Sequence, residues 1–152
     1  MKLGEALRLR SDAQKKIDEL SARAVASAQT QEGAPAADSP TELLVEIERL
    51  SAEKLDLVQR INRTNVATKL PSGTLLVDAL AERDNLLALR TPFAAVAKAA
   101  SELQQRYMRS EIRIVRNVEP SVLRSKVDDF SRLHRLLDVA VQEANWKTDL
   151  LD

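Results

Sequence analysis

Two polar clusters hold the side chains whose types and spacing could do chemistry. The first is Asn62-Arg63-Thr64-Asn65, near the end of a helix with an otherwise apolar seam. Asn and Thr are mediocre helix formers, and their side chains compete for nearby backbone groups. Amides, a hydroxyl and a guanidinium together suit a small polar or phosphorylated ligand. An antiparallel bundle would set Asn62, Arg63 and Asn65 opposite Asn145, Trp146 and Thr148, with the one Trp of the chain. The second cluster is Arg106-Tyr107-Met108-Arg109-Ser110-Glu111, leading on to Arg113 and Arg116. Four arginines and one glutamate, interleaved with Tyr107 and two Ile, have the composition of an RNA or phosphate contact. Each cluster also has a plainer structural reading. Helix-terminal Asn and Thr cap backbone groups, and arginines at a helix end meet its last carbonyls.

The common catalytic arrangements are absent. His134 is the only histidine, so a Ser-His-Asp triad would have to be built on it. It stands in an apolar seam between Phe130 and Leu137 and reads as a core-edge or interface residue. The residue three before it is Ser131, which rules out the Glu-x-x-His motif of di-iron bundles. With no cysteine there is no disulfide, thiolate metal site or thiol nucleophile. Three glycines exclude a Gly-rich phosphate loop. Asn62-Arg63-Thr64 matches a glycosylation acceptor, but nothing else suggests secretion. No enzyme, metal or cofactor is indicated.

The elements that must position these residues are helices. Aromatics make up 3% of the 152 residues and charged residues 30%, a mixture typical of long helices with narrow apolar seams. The first helix runs from about Lys2 to Ala28, on a seam of Leu3, Ala6, Ala13, Ile17, Leu20 and Ala24 interrupted by Arg10. Residues 29–39, rich in Ala, Pro and Gly, read as a flexible linker. Ser39, Pro40 and Glu42 then form an N-cap, a first-turn proline and a capping box. The second helix continues to about Lys69 on Leu43, Ile47, Leu50, Lys54, Leu57, Ile61, Thr64 and Thr68, a sustained heptad. Leu70-Pro71-Ser72-Gly73 reverses the chain.

The third helix spans about Thr74 to Arg109, with a seam of Leu75, Ala79, Leu86, Leu89, Phe93, Val96, Ala100, Leu103 and Tyr107. The seam passes through Pro92, so a kink is expected there rather than a break. Residues 110–118 alternate and read as an extended arm. The fourth helix covers about Pro120 to Asn145 on Leu123, Val127, Phe130, His134, Leu137, Val141 and Ala144.

The fold class is all-α: an elongated, antiparallel, coiled-coil-like bundle of about four helices, in a single domain over residues 1–152. Flanking apolar residues (Leu44 and Val58, Leu76 and Leu80, Leu133 and Leu136) exceed what four helices with few aromatics would cover. A homo-oligomer is therefore expected. Basic and acidic residues number 23 each, which argues against bulk attraction to nucleic acid or anionic lipid. No charge-free run approaches the roughly 18 residues of a membrane span. Met1 to Glu5 is not followed by the apolar core of a signal peptide. The expected location is the cytoplasm and the expected role a non-enzymatic, self-associating scaffold or binding protein. A small-ligand binder, or RNA binding through the arm, is the alternative.

The same clusters carry a family resemblance. Met1-Lys2-Leu3-Gly4-Glu5-Ala6-Leu7, Ile61-Asn62-Arg63-Thr64-Asn65, Asp78-Ala79-Leu80-Ala81-Glu82-Arg83-Asp84, Arg106-Tyr107-Met108-Arg109-Ser110-Glu111-Ile112 and Ala144-Asn145-Trp146 resemble a bacterial family often labelled septicolysin-like. The resemblance covers essentially the whole chain. It implies a helical cytoplasmic protein and brings no established activity, substrate or catalytic residue. Pro92 departs from what the family leads one to expect.

Overall fold

The computed structural model describes residues 1–102 and 115–152. They form four helices, α1 (Leu3–Ala26), α2 (Pro40–Ala67), α3 (Leu76–Ser101) and α4 (Pro120–Lys147), so the fold is all-α. Residues 103–114, which include the end of the expected third helix and most of the expected arm, lie outside the described residues.

Local chemistry sets the helix ends. The Glu5 carboxylate accepts the Lys2 amide at 2.7 Å at the start of α1. Ser39 Oγ accepts the Glu42 amide at 3.4 Å, and Pro40 fills the first position of α2, where no amide is needed. At its far end Thr68 donates both its amide (2.9 Å) and its hydroxyl (2.7 Å) to the Thr64 carbonyl. Gly73 closes the following turn by donating to the Leu70 carbonyl at 2.8 Å. Its φ of 89° is one that L side chains rarely adopt. Between α1 and α2, Asp38 is tied back to α1 by Arg23, with guanidinium contacts of 3.1 and 2.5 Å. The hydrogen bond from Arg23 holds the Asp38 carboxyl below its ordinary pKa.

The chain divides into two compact units, residues 1–69 with 142–152, and residues 70–141. In the first, α1 packs against α2 with Leu3, Ala6, Leu20, Ala24 and Ile61 buried. Lys54 Nζ reaches Gln14 Oε1, while the start of α1 lies near the end of α2, so the two helices are antiparallel. In the second unit, Arg83 contacts Asp138 (3.2 Å), Phe93 stacks edge-on against Phe130 (5.1 Å between centroids), and Ser101 meets Arg124 (2.5 Å). Partner numbers fall as α3 numbers rise, which makes α3 and the first part of α4 antiparallel too.

The seams of α1, α2 and α4 face inward at the expected residues. That of α3 faces inward at Leu75, Ala79, Leu86, Leu89, Phe93 and Ala100, and only Val96 of its described residues is exposed. Leu76, Ala79, Leu86 and Ala97 are buried, Val96 is exposed, and Arg83 and Arg90 stand partly buried between them. An arginine stem is apolar enough for such positions, although Arg90 Nε is buried there without a hydrogen-bond partner among the described residues. Asp138 supplies one for Arg83.

α3 runs unbroken through Pro92, which is exposed. Proline in a helix interior removes an amide donor and crowds the preceding turn, a penalty of about 3 kcal/mol. Pro92→Ala should therefore stabilise the protein. After allowing for the extra freedom alanine gives the unfolded chain, the gain should be about 2 kcal/mol. Thermal unfolding checks this, and a lowered Tm would show that α3 needs the proline.

Candidate functional site

The last turns of α2 place Arg60, Arg63 and Thr64 on one helix face, three and four residues apart. They meet the tail that follows α4. Thr148 ends α4 by donating its amide to the Ala144 carbonyl at 2.9 Å, and the chain then continues without helix to Asp152. The Leu3 amide donates to the Thr148 carbonyl (3.0 Å) and the Leu150 amide to the Met1 carbonyl (2.9 Å), forming an antiparallel bridge between Lys2 and Asp149. Lys2 Nζ donates to the Lys147 carbonyl at 3.0 Å and pairs with Asp149 at 2.8 Å. Hydrogen bonding from Lys2 pulls the Asp149 carboxyl below its ordinary pKa.

Beyond Leu150, which is buried, α2 takes over. Thr64 Oγ1 accepts the Leu151 amide at 3.0 Å and donates to the Arg60 carbonyl at 2.8 Å. Arg60 Nε donates to the Leu151 carbonyl at 3.1 Å, and Arg63 Nε to the Asp152 carbonyl at 2.8 Å. Arg60 Nη2 reaches the Asp152 carboxylate at 2.9 Å. The arrangement grips an extended, acid-bearing segment mainly by its backbone.

Arg63 belongs to this grip, and Thr148 to the pairing with Leu3. Asn145 is buried and Trp146 is 56% exposed. The Trp146 ring lies over Gly4 so closely that a Cβ there would sit 3.1 Å from Cδ2 and Cε3, and 3.2 Å from the Asn145 carbonyl. Asn62 is exposed and Asn65 half-buried. Neither these two nor Asn145 makes a side-chain hydrogen bond among the described residues. The structure thus brings the ends of α2 and α4 into one unit, joined through the tail. Lys2, Arg60 and Leu150–Asp152 are the participants that sequence reasoning missed. The available signal was the pattern Asp149-Leu150-Leu151-Asp152, acid–apolar–apolar–acid, just past a helix end.

Arg106, Tyr107, Arg109 and Arg113 of the basic cluster lie outside the described residues. Arg116 is exposed and lines a groove with Val96, Ala100 and Glu102. His134 is half-buried in the seam of α4. Among the described residues no group of three His, Asp or Glu could hold a metal ion, and no helix is long and apolar enough to cross a membrane.

Fold and site together define an all-α protein whose tail is clasped against its second helix. Residues 10–150 match a family of unknown function (DUF6847), and the chain belongs to that family. It is also similar to a functionally unknown conserved protein from Corynebacterium diphtheriae, known from its crystal structure. That likeness has a TM-score of 0.91 and 42% identity, and covers 99% of each chain. No curated protein matches the chain.

Two substitutions probe the clasp. Thr64→Val keeps the shape but leaves the Leu151 amide without its acceptor, which should cost about 1 to 3 kcal/mol. Thr64→Ser, which keeps the hydroxyl, should recover part of this in urea unfolding. Gly4→Ala forces a methyl against the Trp146 ring and the Asn145 carbonyl, an overpacking penalty of about 1 to 3 kcal/mol. A shifted Trp146 emission should accompany that loss, and unchanged emission with unchanged stability would refute the contact.

Proposed function

We propose that this chain is a non-enzymatic helical binding protein that works in the cytoplasm and self-associates through apolar, coiled-coil-like helix faces. One observation carries the reading. Leu133, Leu136 and Val139 follow one another at three-residue steps along α4 and are 42, 62 and 59% exposed. The other side of the same helix carries the inward seam of Phe130, His134, Leu137 and Val141. An apolar row with Arg132 and Arg135 beside it has the make-up of an association surface. The polar groups of Arg60, Arg63 and Thr64 are meanwhile engaged by the chain's own tail. The resemblance to septicolysin-like proteins fits this reading, since it implies a helical protein with no established activity.

A second reading, a small polar ligand at the end of α2, draws on Asn145. This side chain is 8% exposed and has no side-chain hydrogen bond among the described residues. No atom of its amide is both buried and unpartnered among the described residues, so the group keeps some access to solvent or to a small ligand.

Sedimentation equilibrium at micromolar concentration tests the leading reading. The wild-type chain should sediment as an oligomer and Leu136→Glu as the 16.9 kDa monomer. A wild-type monomer across that range would sink the proposal.

A further inference from the structure

The tail Thr148–Asp152 is held in a way that invites exchange. Three of the four hydrogen bonds from α2 go to its backbone, at the Leu151 amide and the Leu151 and Asp152 carbonyls. The fourth reads the acid of Asp152. Only Leu150 is buried, while Leu151 is 45% exposed and the Asp149 side chain 76%. The segment begins where α4 ends, so releasing it breaks no helix. Fully extended, five residues reach about 17 Å.

We infer that the seat formed by Arg60, Arg63 and Thr64 is a docking site for the tail of a second copy of this chain, closed in the single chain by its own tail. Every copy carries the one segment already shown to satisfy the seat: an extended backbone, a leucine that buries and an acid two residues on. Reciprocal exchange would keep each of these contacts and change only which chain supplies them, the usual low-cost route to a swapped dimer. The inference does not depend on the apolar row of α4.

A chain's own tail competes at an effective concentration of about millimolar, so the test removes that competition. Two full-length chains are prepared, both carrying Leu136→Glu to silence the α4 row. One adds Arg60→Ala/Arg63→Ala, which spoils the seat and frees an intact tail. The other adds Leu150→Ser/Asp152→Ala, which spoils the tail and opens an intact seat. Circular dichroism confirms that each is folded, and Thr64→Val replaces the arginine pair if that variant does not fold. Native mass spectrometry should show a one-to-one heteromer in the mixture and only monomers in each chain alone. Absence of the heteromer up to about 1 mM would overturn the inference. So would binding of a synthetic Thr148–Asp152 peptide to the open seat without any heteromer. That result would make the seat a site for free peptides rather than for a second copy.

Discussion

The hydroxyl of Thr64 has two partners, and its position fixes much of what surrounds it. The side chain is fully buried, so both of its hydrogen-bonding capacities must be met inside the protein. Donation to the Arg60 carbonyl turns the oxygen so that it can also accept from the Leu151 amide. That second bond sets the register of the tail on α2. With Leu151 in place, its carbonyl and that of Asp152 fall within reach of Arg60 and Arg63. Leu150 turns inward, and its amide meets the Met1 carbonyl. The Leu3 amide, three residues before Ala6, whose amide is the first that the helical ladder serves, is then answered by the Thr148 carbonyl. Backbone hydrogen bonds therefore link the start of α1, the end of α2 and the tail.

Elsewhere the helices meet along narrow seams. Ala6, Ala24, Ala79 and Ala97 are buried beside leucines, and small residues at such points let helix axes come close. The surface ion pairs add little to this. Arg23–Glu19 and Arg60–Asp56 lie at 3.8 Å with carboxylates open to solvent, which screens such pairs. Alignment comes instead from contacts that tolerate only one register, such as Arg83 with Asp138 and Phe93 against Phe130.

Where apolar type alone decides which side faces inward, the sequence is legible residue by residue. Leu43, Ile47, Leu50, Leu57 and Ile61 of α2 all face inward, as does the row from Leu123 to Ala144 in α4. The third helix is legible in the same way only in part. Leu75, Ala79, Leu86, Leu89 and Phe93 of the expected seam do face inward, but Val96 is exposed, and Leu76, Ala97 and the half-buried Arg83 and Arg90 take inner places that apolar type did not mark. The partner of Arg83, Asp138, lies on another helix, and no local pattern in α3 announces it. The polar site was half legible for a similar reason. Unusual Asn, Arg and Thr residues mark the end of α2, but the tail is bound through its backbone, which every sequence shares. Gly4 likewise gives no sign of the indole ring above it, because close approach is a property of the packed pair.

That backbone recognition also bears on what the polar end can bind. Arg60 and Arg63 look like an anion site on composition, but their donors are already aimed at carbonyls and at the Asp152 carboxylate. An incoming anion would have to displace these groups and leave the Leu151 amide and the Leu150 side chain to find water. Binding at this seat is therefore an exchange, in which the newcomer must replace the hydrogen bonds and the apolar contact together. A small anion replaces only the first. An extended segment with a leucine and an acid at the right spacing replaces both, and for that reason the seat discriminates by shape and backbone as much as by charge.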